Sequence, residues 1–244
     1  MFCRRLRARA PRLPDRLRIQ QIDSPILDFE HGTGSTSMRV KICGMTRAED
    51  IQAAADAGAD AIGLVFYAPS PRAVDIKQAQ AVVAAVPAFV SVTALFVNPS
   101  VKELQDVLDG VRIDLIQFHG DEDSDFCSQF NRPYIKAIRV RQASDVVASC
   151  LRFPDALGIL LDSYKPGVPG GTGETFDWNL IGQDPHSKPI ILAGGLTPAN
   201  VADAITQVQP FAVDVSGGVE AAKGVKDHGK VNDCLSEVYR VNRN

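Results

Sequence analysis

Three residues that can transfer protons each end a short apolar run of the sequence. They are Cys43, His119 and Asp162, and Arg72 lies just past a fourth run. The residues before Asp162 are apolar or small, so its carboxyl group would lie at the edge of a dry interior, which raises its pKa towards that of a usable acid. Each residue also has an ordinary interpretation: Cys43 as an inert buried thiol, Asp162 as a turn cap, Arg72 and His119 as surface residues. That all four residues lie at or just past the ends of apolar runs favours an active site more strongly than any single residue does.

Two glycine-rich turns have the composition of an anion site. Gly194 and Gly195 follow one apolar run, and Ser216, Gly217 and Gly218 follow the next. Turns without side chains let backbone N–H groups approach an anion closely. The two turns therefore predict a phosphate site.

These residues require a scaffold that brings the ends of many strands together. The sequence alternates β-branched runs with helical patterns, which indicates parallel strands joined by helices. The eight predicted strands are Arg39–Cys43, Ala61–Phe66, Val90–Val97, Asp114–His119, Tyr134–Val140, Gly158–Asp162, Pro189–Ala193 and Ala212–Ser216. Eight such units predict an α/β protein with a (β/α)8 TIM barrel of the phosphate-binding type, whose active site lies at the C-terminal ends of the strands. An open doubly wound sheet would show the same alternation.

Alternation along the strands predicts which side chains face the barrel axis. Val40 and Ile42 suit packing under helices, which leaves Lys41 and Cys43 facing inwards. By the same parity, Gln117 points the same way as His119.

The connections between strands give weaker predictions. Thr46–Glu49 has the pattern of a capping box, and Thr197 precedes a proline suited to the first helical position. A sixth helix is indicated only over Phe176–Ile181. The glycine-rich stretch Tyr164–Gly173 is typical of a mobile loop over the barrel mouth.

Residues 1–37 differ in composition from the rest of the chain. Residues 1–20 carry seven arginines against one aspartate, which leaves the other 224 residues with a net charge of −9. Prolines interrupt the segment, and it lacks the apolar stretch of a secretory signal; an organellar transit peptide is a weaker alternative. We expect residues 1–37 to be a disordered or spurious extension, with Met38 as the biological start in the latter case, and residues 38–244 to form a single barrel domain.

Composition also excludes several classes of protein. An acidic body is a poor platform for nucleic acid, and no apolar run approaches the roughly 18 residues that span a bilayer. The five cysteines are scattered without metal-ligand spacing, and Asp121–Asp123 is more typical of a solvated helix start than of a metal site. We therefore expect reduced thiols in the cytoplasm and no metal.

The candidate residues lie in an ordered set of motifs. These are KICGMT (41–46), GLVF (63–66) with SPR (70–72), LIQFHG (115–120), LD (161–162), GGTG (170–173), LAGGL (192–196) and DVSGGVE (214–220). Their order and spacing resemble the phosphoribosylanthranilate isomerase family of tryptophan biosynthesis. The resemblance runs from Met38 nearly to the C-terminus and leaves residues 1–37 outside it.

The resemblance implies an aldose–ketose isomerase that performs an Amadori rearrangement on a small phosphoribosyl substrate. Asp162 would be the general acid that opens the furanose ring, and Cys43, as a thiolate, the base that removes the C2 proton. Arg72 would hold the anthranilate carboxylate with His119 nearby. The phosphate would bind to Gly194, Gly195, Ser216, Gly217 and Gly218.

No redox step occurs in this reaction, so neither a cofactor nor a metal is implied, and the enzyme would be a monomer or a homodimer. A free cysteine is a poor base at neutral pH, and the helix after Thr46 would be one means of lowering its pKa.

Three other functions are alternatives to this one. The analogous isomerase of histidine biosynthesis has a carboxylate where this chain has Cys43. Indole-glycerol-phosphate synthase relies on a pattern of lysines and glutamates that is absent here. A non-catalytic phosphoribosyl-binding barrel whose basic arm contacts RNA would need neither Cys43 nor Asp162.

Overall fold

Eight parallel strands close into a barrel in chain order, with β1 paired to both β2 and β8. The computed structural model describes residues 38–163, 177–181 and 187–241. The barrel strands are β1 (Arg39–Cys43), β2 (Ala61–Phe66), β3 (Ser91–Phe96), β4 (Leu115–Phe118), β5 (Tyr134–Val140), β6 (Ile159–Ser163), β7 (Ile190–Leu192) and β8 (Ala212–Val215). The predicted (β/α)8 barrel is confirmed, and each strand end lies within one residue of its predicted position.

Helices surround the barrel between its strands. They are α1 (Ala48–Asp56), α2 (Ile76–Val83), α3 (Val101–Gly110), α4 (Ser124–Ser128), α5 (Ser144–Arg152), α6 (Val201–Val208) and α7 (His228–Val241). Between β6 and β7 the described residues contain only a 3-10 turn, Trp178–Ile181. The predicted extension 1–37 and the predicted loop 164–173 lie outside the described residues. No helix of the described part of the chain is long and apolar enough to span a bilayer.

The apolar side chains form separate clusters on the two faces of the barrel wall. Ile42, Ile62 and Leu161 belong to the large cluster between strands and helices. Inside the barrel, a smaller cluster that includes Leu160 and Ile191 fills the space towards the N-terminal ends of the strands. The interior therefore opens towards the C-terminal ends.

Both predicted helix starts are wrong, since each helix begins later in the chain than its pattern predicts. Thr46 donates its hydroxyl to the Gly224 carbonyl oxygen, and α1 begins at Ala48 after Arg47, without a side-chain cap. After Thr197 the chain makes a turn closed by Asn200, whose Oδ1 accepts from the Thr197 N–H at 2.7 Å, so α6 begins only at Val201.

A short hairpin that was not predicted follows the barrel. A 3-10 turn (Gly217–Val219) leads from β8 into β9 (Glu220–Ala222), which pairs antiparallel with β10 (Val225–Lys226). The hairpin brings Glu220 and Lys226 back to the strand ends.

Candidate active site

One cavity at the C-terminal ends of the strands brings together all nine predicted site residues. They are Cys43, Arg72, His119, Asp162, Gly194, Gly195, Ser216, Gly217 and Gly218. They come from the ends of β1, β4, β6, β7 and β8 and from the loop after β2. The barrel thus assembles residues that are far apart in sequence.

Cys43 is the last residue of β1 and lies against a glycine of β2. It is buried, and its register partner is Gly63. A Cβ atom on Gly63 would lie 2.7 Å from the Cys43 sulfur, so the thiol needs a glycine at this position. Burial raises the pKa of Cys43 above its usual value, and the charge of Lys41 is the largest opposing influence.

Lys41 faces inwards as predicted and forms a buried ion pair. Its Nζ atom lies 2.8 Å from Oδ2 of Asp214, which is directly opposite on β8. Asp214 was not predicted as a site residue, although it lies between the apolar residues Val213 and Val215 of a buried strand. Such an isolated carboxylate is the pattern that could have identified it.

Asp162 lies at the centre of a row of hydrogen bonds. Its Oδ1 accepts from the Ser163 N–H at 2.8 Å, and its Oδ2 lies 3.1 Å from His119 Nε2. Gln117 Nε2 lies 3.0 Å from His119 Nδ1, so both nitrogens of the ring are hydrogen-bonded, one to Gln117 and the other to Asp162. Gln117 therefore orients the His119 ring, a role that strand parity suggested but did not specify.

Arg72 is held at the cavity by the hairpin. Its Nε and Nη2 atoms each donate to Glu220 at 2.7 Å, and Lys226 Nζ donates to the same carboxylate at 3.1 Å. Burial opposes ionisation of Glu220, but the hydrogen bond from Arg72 and the charges of Lys226 and Arg72 hold its pKa below the usual value. Nη1 of Arg72 has no hydrogen-bond partner among the described residues and remains able to bind a carboxylate.

The glycine turns are packed closely on the backbone around them. Gly194 and Gly195 have φ angles of 80° and 66°, which favour glycine. A Cβ atom on Gly218 would lie 1.9 Å from the Leu196 carbonyl oxygen, so the turns after β7 and β8 are in direct contact. Ser216 donates its hydroxyl to the Cys43 carbonyl oxygen at 3.0 Å. The two glycine turns are thus built as one unit with the end of β1.

An apolar wall lines another part of the cavity. Cys43 clusters with Val65 and Leu95, and Tyr67 and Val97 pack on this cluster. All five line the cavity. A flat apolar group fits such a wall.

The other described cysteines are remote from this chemistry. Cys127, Cys150 and Cys234 are buried free thiols. Burial raises the pKa of Cys127 and that of Cys234 to about 12. Within the described ranges, no group of three or more His, Cys, Asp or Glu side chains is arranged to hold a metal ion.

Comparison with known proteins identifies the family of this chain. The family model of N-(5'phosphoribosyl)anthranilate (PRA) isomerase matches residues 40–237. A protein of Pseudomonas fluorescens (strain Pf0-1) named N-(5'-phosphoribosyl)anthranilate isomerase is 59% identical over 203 residues, which cover 83% of this chain and 99% of that protein.

Solved structures agree with the sequence comparison. The crystal structure of phosphoribosyl anthranilate isomerase from Thermotoga maritima matches 82% of this chain and 98% of its own, with a TM-score of 0.75 and 38% identity. A structure of a phosphoribosyl anthranilate isomerase in complex with reduced 1-(o-carboxyphenylamino)-1-deoxyribulose 5-phosphate matches 82% of this chain and 98% of that chain, with a TM-score of 0.73 and 36% identity. This chain therefore belongs to the N-(5'-phosphoribosyl)anthranilate isomerase family.

Proposed function

We propose that this protein converts N-(5-phosphoribosyl)anthranilate into 1-(2-carboxyphenylamino)-1-deoxyribulose 5-phosphate, with Asp162 as the general acid and Cys43 as the base. The reaction is an isomerisation in tryptophan biosynthesis and consumes no second substrate. The observation that carries the role assignment is that a thiol from β1 and a carboxyl group from β6 line the same cavity.

The acid step opens the sugar ring. Asp162 gives a proton to the ring oxygen, the bond between that oxygen and C1 breaks, and the anilino nitrogen supplies electrons to form an iminium. The hydrogen bonds that Asp162 makes with Ser163 N–H and with His119 Nε2 fix the orientation of the carboxyl group. A positioned acid of this kind contributes about 10²–10⁴-fold to the rate.

The base step completes the transfer of hydrogen. The Cys43 thiolate removes the C2 proton, which produces an enolamine with the same number of protons as the substrate. Tautomerisation to the ketone leaves that number unchanged. After the product leaves, Cys43 releases its proton and Asp162 takes one up, which restores the starting state of the enzyme. A buried thiol at the edge of an apolar cluster is shielded from water, so the proton is not lost to solvent during the step.

The remaining residues bind the two anionic ends and the ring of the substrate. Gly194, Gly195, Gly217 and Gly218 offer backbone N–H groups to the phosphate, since no side chain blocks its approach. Ser216 donates its hydroxyl to the Cys43 carbonyl oxygen, so it contributes to this site through its backbone N–H group. Arg72 binds the anthranilate carboxylate through Nη1, and the aromatic ring lies against the apolar wall.

Growth of a tryptophan auxotroph that lacks this isomerase tests the function directly. We expect the gene for this chain to restore growth without tryptophan, and the Asp162→Asn gene to fail. If the unaltered gene fails to restore growth while a gene from a known member of the family does restore it, the proposed reaction is contradicted.

We propose that the protein is a homodimer rather than a monomer. We further propose that it acts on its small-molecule substrate in the cytoplasm and does not bind nucleic acid. Phe89, between α2 and β3, is fully exposed and has a φ angle of 68°. An exposed phenylalanine in a strained turn favours a surface that a second copy covers. A relative from Thermotoga maritima, 36% identical over 82% of this chain with a TM-score of 0.73, is described as dimeric phosphoribosylanthranilate isomerase from which monomers were generated.

Phe89→Glu tests the dimer, because a buried charge opposes association. We expect light scattering to show a dimer for the unaltered chain and a monomer for the variant. A monomeric unaltered chain at high micromolar concentration would exclude this assembly. Free thiols at the described cysteines accord with the cytoplasmic location.

A further inference from the structure

A buried lysine beneath the cavity is not used by the reaction as described above. Lys41 Nζ lies 2.8 Å from Asp214 Oδ2, and each of the two side chains is only 7% exposed. Burying an ion pair costs desolvation free energy, and replacing such a pair with apolar side chains is often neutral or stabilising. The fold therefore gains little from this pair, and its place beside Cys43 points to a functional role.

Lys41 and Cys43 share the space above one glycine. A Cβ atom on Gly63 would lie 3.1 Å from Lys41 Cε and 2.7 Å from Cys43 Sγ, so these two atoms are within about 6 Å of each other. The ammonium group is bonded to Cε, so the charge of Lys41 lies in the neighbourhood of the sulfur, and a nearby positive charge favours the ionised form of a thiol. The positive charge of Lys41 acts to lower the pKa of the Cys43 thiol.

We propose that Lys41, anchored by Asp214, is a positioning residue that stabilises the thiolate of Cys43 for proton abstraction. The proposal rests on the base role proposed for Cys43. Asp214 holds the ammonium group beneath the sulfur through one carboxylate oxygen. Its other oxygen, Oδ1, has no hydrogen-bond partner among the described residues.

The other charges around Cys43 do not replace Lys41. Lys226 also favours the thiolate, but its ammonium group donates to Glu220 and to the Ser216 carbonyl oxygen, each at 3.1 Å. Arg72 is engaged by the same Glu220 carboxylate. His119 and Asp162 line the same cavity and are hydrogen-bonded to each other.

Lys41 remains charged in its buried position. Burial on its own would lower the pKa of Lys41, but the charges of Asp214 and Cys43 outweigh it and hold that pKa above the usual value. For Cys43 the largest influence is burial, which raises its pKa, and Lys41 provides the largest opposing effect. Asp214 acts on Cys43 in the same direction as burial but more weakly than Lys41 acts against it. Removal of Lys41 therefore leaves the effect of burial largely unopposed.

The pH dependence of alkylation measures this effect without relying on catalysis. The rate of Cys43 modification by iodoacetamide is followed in the full chain, and a Cys43→Ala protein corrects for the other cysteines. We expect Lys41→Met to move the midpoint upwards by about one pH unit or more. Alkylation at pH 7 would then slow about tenfold. An unchanged midpoint in Lys41→Met would overturn the proposal.

A second buried ion pair provides a matched control. Lys136 of β5 lies 2.8 Å from Glu122, and both side chains are buried. The paired variants Lys41→Met/Asp214→Asn and Lys136→Met/Glu122→Gln each remove a buried ion pair without leaving one charge alone. We expect the midpoint of Cys43 alkylation to rise in Lys41→Met/Asp214→Asn only. If the alkylation midpoint rises equally in both double variants, the effect arises from a loosened fold, and the proposal is overturned.

The pH profile of kcat/KM tests the base role separately. If the acid limb of the profile and the alkylation midpoint move together in Lys41→Met, both proposals are supported. A midpoint that moves while the acid limb stays fixed overturns the base role of Cys43, and with it the catalytic part of this inference. A fixed midpoint overturns the role of Lys41 and leaves the base role of Cys43 intact.

Discussion

Gly218 lies where the turns after β7 and β8 meet, and any side chain there collides with backbone atoms. A Cβ atom would lie 1.9 Å from the Leu196 carbonyl oxygen, 2.8 Å from the Leu196 carbonyl carbon and 3.0 Å from Thr197 Cα. Backbone atoms cannot rotate away as the end of a flexible side chain can. In Gly218→Ala one of the two turns must therefore move by about 1 Å to relieve the contact with the Leu196 oxygen.

The cost of this movement can be estimated for both binding and stability. A misplacement of about 1 Å in a site costs about 10²-fold in rate. Inserting a methyl group into a packed region costs about 1–3 kcal/mol of the free energy of unfolding. Because both turns belong to the proposed phosphate site, we expect kcat/KM to fall about 10²-fold, mainly through a higher KM.

Gly217→Ala is the matched comparison. A Cβ atom on Gly217 would meet only the Nη2 atom of Arg72, at 3.3 Å, and an arginine side chain can give way. We expect its kcat/KM to fall less than about tenfold. Initial rates, inhibition by inorganic phosphate and urea unfolding would be measured for both variants. If Gly218→Ala keeps a kcat/KM within threefold of that of Gly217→Ala, the two turns do not form the rigid anion site described above.

Two further predictions concern titratable residues in the cavity and beside it. Cys43→Ala and Asp162→Asn should each lower kcat by about 10²–10⁴-fold, because each removes one proton-transfer group, while the dissociation constant for a product analogue stays within a few-fold. Near-normal turnover in either variant would reject the role of that residue. Glu220→Gln should destabilise the protein by about 3 kcal/mol at pH 7, because Arg72 and Lys226 lose their shared partner. The folded-state pKa of Glu220 is depressed, so its stabilisation is present above the unfolded pKa of about 4.3 and is lost as the pH falls through the folded value. Urea unfolding should therefore show the difference between the two proteins shrinking towards pH 3, and a constant difference would contradict the ion-pair origin.

The strands were predictable because the barrel imposes a simple requirement on each of them. Each strand is buried on both faces, so it is a short apolar run with sharp polar boundaries. The residue after such a run lies at the rim, which is why Cys43, His119 and Asp162 could be grouped from sequence. Parity extended this prediction to the inward direction of Lys41.

The helix starts and the hairpin were not predictable in the same way. The pattern Thr46–Glu49 is a valid local signal for a capping box, but the Thr46 hydroxyl binds Gly224, which is 178 positions away in the chain. That partner exists only because the β9–β10 hairpin folds back over the end of β1. Local patterns therefore fail where the closed barrel supplies a distant partner of comparable strength.

The groups that favour ionisation of Cys43 also could not be found from local sequence patterns. The sequence suggested α1 as a source of help for the thiolate, since that helix follows the cysteine closely. The structure instead places a cation two residues earlier on the same strand face, where it is fixed by a carboxylate on β8. Lys41 and Asp214 are register partners only after the first and last strands pair, so no local pattern reveals the contact.

The ion pairs of Arg72 with Glu220 and of Lys41 with Asp214 bear on how one cavity can hold both a substrate with two anionic groups and a thiolate base. Phosphate and carboxylate both oppose ionisation of Cys43, so their binding groups must offset that charge locally. In the proposed mechanism, backbone N–H groups of the glycine turns offset the charge of the phosphate without a titratable side chain, and Arg72 offsets the charge of the carboxylate through Nη1. Lys41 is buried beneath the sulfur and tied to Asp214, so it cannot move to the phosphate when substrate binds. Because these groups have separate roles, we expect substitution of Lys41 to change the pH profile of kcat/KM and substitution of the glycines to change the affinity for phosphate.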